Sequence, residues 1–253
     1  MRVPRQRSIL GRLTSQGMAT TEELAGLCGV SAATVRRDLI ELERAGALRR
    51  VHGGAVAVDG PDADTARGFA EVAASDAVDK QAVAARAAAL VEDGDCVILD
   101  IGTTTMMLAS ALRGRPVTVV TASLAVLDVL RDDPAVELVL LGGMVRRTYH
   151  SLVGALTEDA LRQVRGRHVF LGASGVRGDG TVLDTTMVEV PVKRALLRAA
   201  DRSVLLVDRH KFPGTGSLRV CGAGEVDTII TNRGADPDTI TVCREAGTEV
   251  LYA

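Results

Sequence analysis

Two spacings of apolar residues divide the chain. In the first 58 residues they recur at intervals of three and four, the period of helices that pack on one face. Ile9, Leu10 and Leu13 form such a stripe within Arg5–Gln16, and Gly17 is placed to end it. Thr20-Thr21-Glu22-Glu23 has the form of a capping box, in which side chain and backbone of the first and fourth residues satisfy one another. It predicts a short helix over Glu22–Cys28, with Gly29 in the following turn. A further helix begins at Ser31, whose hydroxyl suits an N-cap. Val35, Leu39 and Leu42 share its inward face. Ala33, Arg37 and Arg44 point the other way, flanked by Thr34 and Arg36. Gly46 is placed as its C-cap. Leu48–His52 alternates weakly, and Gly53-Gly54 turns the chain back towards Ala55-Val56. Helix, glycine turn and helix, followed by a basic hairpin, predict a winged helix-turn-helix. Its outward face is small or basic, which suits base edges and phosphates of duplex DNA.

From Cys96 onward the pattern changes to short apolar runs that alternate with helical stretches. The runs are Cys96–Asp100, Val117–Thr121, Val136–Leu141, His168–Ala173, Ser203–Asp208, Thr228–Thr231 and Glu249–Leu251. Helices are predicted between them at Thr104–Leu112, Ser123–Arg131, Thr157–Val164, Val188–Ala199 and Pro237–Ala246. This alternation predicts an α/β domain with a mainly parallel sheet covered on both faces. The Ala-rich stretch Asp76–Val91 is helical by propensity and opens that domain. Between the two parts, Asp59-Gly60-Pro61-Asp62-Ala63-Asp64 has linker composition. The expected organisation is a DNA-binding domain over 1–58, a linker over 59–75 and an α/β domain over 76–253.

Charge sharpens this division. The formal net charge is −2, yet residues 1–58 hold nine Arg against five acids, a net +4, and the remainder carries −6. Only the first part is suited to nucleic acid. Apolar residues make up 47% and charged residues 25%, ordinary for a soluble protein. The four cysteines, Cys28, Cys96, Cys221 and Cys243, are far apart, so free thiols in a reducing cytosol are expected. His52, His150, His168 and His210 show no metal-ligand spacing, and neither a metal nor a cofactor is implied. No apolar run spans a bilayer and no signal-peptide core is evident, so a cytoplasmic protein with no membrane partner is expected.

Candidate chemistry gathers where the predicted strands end. Asp100-Ile101-Gly102-Thr103-Thr104-Thr105 joins a strand to a helix. Gly102 permits close backbone approach, and three threonines stand beside free helix N–H groups, an arrangement suited to phosphate. A Thr-capped helix without ligand is the plain alternative. Thr121, Ser123, Gly142, Gly143 and Lys211 lie at other strand ends and would complete a polar pocket. Lys211 either pairs with phosphate or a sugar hydroxyl, or is a surface lysine. Arg146-Arg147 serves ligand, subunit interface or solvent. Glu189 and Lys193 form an i, i+4 pair that supports a helix. Asp184 and Glu189 are the only bases suited to an isomerase, the rival to a regulator, and no catalytic residue is assigned.

Val30-Ser31-Ala32-Ala33-Thr34-Val35-Arg36-Arg37-Asp38-Leu39, with Arg49-Arg50-Val51-His52-Gly53-Gly54-Ala55, resembles the DeoR family of bacterial transcription regulators. The likeness continues in order through Asp100–Thr105, Leu141-Gly142-Gly143 with Arg146-Arg147, Ser151–Gly154, Phe170–Gly175, Val192-Lys193-Arg194 and Lys211-Phe212. It implies a winged helix-turn-helix and a Rossmann-like sensor domain similar to ribose-phosphate isomerases. It further implies a repressor of carbohydrate or polyol metabolism that binds double-stranded operator DNA as a homo-oligomer, a dimer or tetramer. A phosphorylated sugar or sugar alcohol is the implied effector. By match, Ser31, Thr34, Arg36 and Arg37 take the recognition role, joined by Arg49, Arg50 and His52 of the wing. Asp100, Gly102–Thr105 and Lys211 take the ligand role. The chain departs from the family pattern at Glu71-Val72, Ala122 and Arg209-His210, around the implied pocket.

Overall fold

The computed structural model describes residues 2–16, 18–44, 47–51, 54–57 and 69–253. They fall into two compact units, residues 1–67 and 68–253. Met1, Gly17, Ala45, Gly46, His52, Gly53 and 58–68 lie outside the described residues, so the Gly17 and Gly46 caps and the centre of the predicted linker do too.

In the first unit, helices Arg2–Gln16, Thr21–Cys28 and Ala32–Arg44 precede a hairpin of strands Leu48–Val51 and Gly54–Ala57. Both capping-box hydrogen bonds form: Glu23 N–H donates to Thr20 Oγ1 at 3.2 Å, and Thr20 N–H to Glu23 Oε2 at 2.8 Å. Gly29 adopts φ 61° and ends the second helix in the left-handed conformation glycine tolerates. The predicted stripes converge, because Ile9, Leu13, Leu24, Val35, Leu39, Leu42 and Leu48 are all buried together. Strand Met18–Thr20 was not expected; it pairs antiparallel with Gly54–Ala57 and makes the sheet three-stranded. Gly54 is required there, since a Cβ would lie 2.3 Å from the Ala19 carbonyl oxygen.

The second unit is built on a seven-stranded sheet. Its spatial order is Glu249–Tyr252, Thr228–Thr231, Ala200–Leu206, Gly166–Gly172, Cys96–Leu99, Thr118–Thr121 and Glu137–Leu140. Every neighbouring pair is parallel, and each strand overlaps a predicted apolar run, with Gly166–Gly172 and Ala200–Leu206 starting two and three residues earlier than expected. The runs are continuous because both faces are covered. Val97 and Leu99 enter one core with helices Ala77–Ala88 and Thr103–Leu112, while Ile98 enters the other with helices Ala155–Leu161 and Glu189–Arg198.

The unit also holds a two-stranded sheet, Met144–Arg146 with Ser151–Val153, and a three-stranded one, Gly175–Val176, Thr181–Asp184 and Leu218–Gly222. The linker expectation is corrected at its end. Phe69–Ala74 is a helix with Phe69 and Val72 buried, and it packs on helix Thr103–Leu112.

Candidate functional site

In the first unit, the helix Ala32–Arg44 is fixed by its inward face and exposes Arg36 and Arg37. Ser31 is its N-terminal anchor: Thr34 N–H donates to Ser31 Oγ at 3.3 Å, and the two hydroxyls lie 3.0 Å apart. Ser31 and Thr34 therefore hold the turn from which the arginines project. Asp38 belongs to neither expected face. It is buried and accepts from Arg5 Nε at 2.5 Å and Nη2 at 3.0 Å, which bolts the first helix across the third. An acid one residue before buried Leu39 was the available signal. Arg50 is exposed, its N–H donating to Glu43 Oε1 at 2.9 Å. The side chain of Arg49, and all of His52, lie outside the described residues.

The second unit has its own focus. From Cys96–Leu99 the chain moves to Thr118–Thr121 and Glu137–Leu140 on one side, then returns to Gly166–Gly172 and continues to the other. The switch point lies between Cys96–Leu99 and Gly166–Gly172, and ligands of such sheets bind outside the carboxyl ends of strands at that place. Asp100 bridges it. Gly172 N–H donates to Asp100 Oδ2 at 3.0 Å, and the Lys193 ammonium donates to the same oxygen and, at 2.9 Å, to the Gly172 carbonyl.

Around Lys193 stand three carboxylates. Asp184 Oδ2 is 3.6 Å from its Nζ. Glu189 Oε1 accepts from Ser151 Oγ and from Arg146 Nη1, each at 2.7 Å. Arg146 Nη2 also donates to Thr186 Oγ1 at 3.2 Å. Asp100, Glu189 and Lys193 are all at most 2% exposed. Burial alone would depress the Lys193 pKa, but the charges of Asp100, Asp184 and Glu189 raise it, so the ammonium is retained. Burial raises the Glu189 pKa against the opposing pull of Lys193, Ser151 and Arg146. Burial likewise raises that of Asp100 against Lys193. Asp100 Oδ1 is buried without a hydrogen-bond partner among the described residues.

Helix Thr103–Leu112 starts beside this network. Gly102 is its N-cap with φ 126°, a conformation that strains any other residue. A Cβ at Gly102 would meet nothing closer than Thr105 Oγ1 at 3.8 Å, so there is room beside the helix start. The first turn holds no acid to offset the partial positive charge of the N-terminus. Thr105 is fully buried and donates to the Gly102 carbonyl at 3.0 Å, which makes it part of the frame. Thr103 and Thr104 are 5% and 8% exposed.

Other predicted ligand residues also make contacts within the fold. The Thr121 hydroxyl donates to the Leu99 carbonyl at 2.8 Å and accepts from Ser123 N–H at 3.0 Å. Ser123 caps helix Leu124–Leu130, its Oγ accepting from Val126 N–H at 3.2 Å. Both residues are wholly buried, with their hydroxyls bonded within the fold. The Gly142 carbonyl accepts from Thr157 Oγ1 at 2.7 Å, and a Cβ at Gly143 would lie 2.1 Å from that oxygen. Packing requires glycine at position 143, whereas a Cβ at Gly142 would meet nothing within 4 Å. Lys211 is half-buried and donates to the Ala173 carbonyl at 2.7 Å, just beyond Gly172. The Arg146–Glu189 bond joins residues 43 apart, and no local pattern announces it.

Comparison with known proteins agrees with both units. A DeoR-like helix-turn-helix domain model matches residues 5–60, and a DeoR C-terminal sensor domain model matches residues 75–233. The chain is 31% identical over 229 residues to the glycerol-3-phosphate regulon repressor of Escherichia coli K12, covering 90% of each. It is 29% identical over 250 residues to the HTH-type transcriptional regulator GolR of Listeria innocua, covering 98% of each. The L-fucose operon activator of Haemophilus influenzae is 28% identical over 241 residues, with 95% of this chain and 96% of that protein covered. Among solved structures, ribose 5-phosphate isomerase A of Methanocaldococcus jannaschii aligns over 52% of each chain at 20% identity, with a TM-score of 0.38. The chain belongs to the DeoR family of transcription regulators, with a helix-turn-helix domain followed by a sensor domain.

Proposed function

We infer that the chain represses a carbohydrate or polyol operon and leaves its operator when a phosphorylated sugar or sugar alcohol binds the sensor domain. The observation that carries this reading is the start of helix Thr103–Leu112: open space at Gly102, no acid in the first turn, and a place at the switch point of the sheet. Residues 103–105 supply the first amides of the helix, whose N–H groups lack partners within it. A phosphate set against them gains charge-assisted hydrogen bonds as well as the helix field. Lys211, held beside strand Gly166–Gly172 through Ala173, is the nearby cation of the proposal, and Asp100 the acceptor for a hydroxyl.

Arg36 and Arg37 project from the third helix of the other unit and are the proposed contacts to bases or phosphates, with Arg49, Arg50 and His52 on the adjacent backbone. A two-fold operator would be read by a homo-oligomer, and the protein acts in the cytoplasm. It is proposed to be a binding protein without turnover, because both bases an isomerase would need are engaged. Glu189 holds Ser151 and Arg146, while Asp184 accepts the Thr186 N–H at 2.8 Å and faces Lys193.

A thermal-shift series tests the sensor half. Sugar monophosphates and their unphosphorylated parents are compared on the full chain. Binding at 100 times the dissociation constant adds about 2.7 kcal/mol of stability. A shift with at least one phosphate ester, absent with its parent sugar and lost in Thr104→Glu, is expected. A series in which parents and esters act alike would overturn the assignment.

A further inference from the structure

At its turn, the hairpin Met144–Val153 touches both the charge network and the entry to the sensor domain. Its Arg146 is held by Glu189 and Thr186, and Ser151, where the chain returns, holds the same Glu189 oxygen. Between them residues 147–150 form the turn. The Arg146 guanidinium carbon sits 5.2 Å from the centre of the Tyr149 ring, in cation–π range. Tyr149 meets Phe69 edge to face, with ring centres 5.8 Å apart. His150 stacks on Phe69 as well, its ring centre 5.2 Å away and its plane inclined by 15°. His150 holds this pose with φ 53°, an unusual backbone state for a residue other than glycine. Its carbonyl accepts the Leu124 N–H at 2.8 Å, which anchors the turn to the start of helix Leu124–Leu130.

Phe69 is the first described residue of the second unit, and the chain between it and the wing strand Gly54–Ala57 is only residues 58–68. The same helix, Phe69–Ala74, packs on helix Thr103–Leu112, whose N-terminus is the proposed phosphate site. The geometry points to a positioning role for Arg146, Tyr149 and His150: they couple occupancy of the strand-end site to the placement of Phe69, where the chain enters the sensor domain. An anion at the helix start competes with the Asp100 carboxylate for the Lys193 ammonium. Lys193 in turn balances Glu189, and Glu189 sets Arg146. Arg146 lies over Tyr149, and the aromatic group follows. This role rests on the phosphate-site reading above.

Hydrogen exchange on the full chain, with inorganic phosphate or sulfate at high concentration as the probe, separates the two. In the unmodified chain, phosphate slows exchange at residues 103–107 and also at 69–75, each by about fivefold or more. In Phe69→Leu and in His150→Ala, slowing at 103–107 persists and the response at 69–75 disappears. A purely structural role would instead raise exchange at 69–75 equally with and without phosphate, leaving the ratio unchanged, and that result overturns the proposal. So does slowing at 103–107 of the unmodified chain with no response at 69–75. No slowing at 103–107 with either anion removes the phosphate site itself, and the coupling falls with it. Phe69→Leu keeps an apolar side chain in the pocket, so the test does not depend on a cavity.

Discussion

The Lys193 ammonium is bonded to the Asp100 carboxylate, and the two residues lie 93 positions apart in the chain. One stands at the end of the strand Cys96–Leu99 and the other on the helix Glu189–Arg198. Their bond closes the switch point of the sheet and sets the charge of everything around it. Two other carboxylates, Asp184 and Glu189, depend on the same cation.

Replacing the cation therefore removes a shared counter-charge from three carboxylates, and Asp100 loses its bonded partner. Lys193→Met is expected to lower the free energy of unfolding by about 3–5 kcal/mol, the usual cost of breaking a buried pair on one side. Adding Asp100→Asn removes part of the uncompensated charge, so the double variant loses less than the sum of the single ones. Urea midpoints of the four proteins measure this. Strict additivity would mean that the two residues do not act together.

The arginines of the third helix make a separate prediction in salt. Removing one phosphate-neutralising side chain flattens the dependence of log affinity on log salt by about 0.9. Arg36→Ala and Arg37→Ala should each weaken binding and reduce that slope on a generic duplex, followed by fluorescence anisotropy over a range of salt. Unchanged slopes in both variants would remove these residues from the interface.

His168 predicts an acid-side loss of stability. Burial lowers its pKa, and its Nδ1 is buried without a partner among the described residues. The folded chain keeps the ring neutral, while the unfolded chain takes a proton below about 6.5. The contribution is thus present above that value and is lost as pH falls through the lower folded one. His168→Gln should lose less stability than the unmodified chain between about pH 7.5 and 5.5 in urea titrations. Equal losses would show that another group carries the slope.

Thiol chemistry should be silent in the core. Burial pushes Cys221 up to about 12 and also raises Cys243. At about pH 8 only on the order of 10⁻⁴ of the Cys221 thiol is ionised, and the thiolate is the reactive form. Iodoacetamide at that pH should leave both unmodified in the folded chain and label both in urea, as read by peptide mass. Rapid labelling of Cys221 without denaturant would contradict its buried setting.

How much of this was legible in the sequence follows from how local each signal is. The seven parallel strands were readable because each is a short apolar run buried on both faces, and Thr20–Glu23 because a capping box is complete within four residues. The helix Phe69–Ala74 was not, since six residues with two buried positions show no period. Strands Met18–Thr20 and Ser151–Val153 are three residues long and gain their meaning from distant partners. At the site, Asp100 and Gly102 were visible from the strand-to-helix junction. The environment of Glu189 was not, because its helical neighbour Lys193 suggested only surface pairing while its hydrogen-bond partners come from Arg146 and Ser151. The bonds of Thr121 and Ser123 were hidden for a related reason: a hydroxyl at a strand end serves a ligand or the next helix equally well, and Ser123 is an N-cap.

The most direct test places DNA and effector in one measurement. Affinity for the duplex bound most tightly by the full chain, selected from the region upstream of its own gene, is measured with a series of sugar monophosphates and with their unphosphorylated parents. One phosphate ester is expected to weaken binding by about 5–150-fold, its parent is not, and Thr104→Glu should abolish the response. If no ester changes the affinity, or if the response survives in Thr104→Glu, the start of helix Thr103–Leu112 is not the trigger.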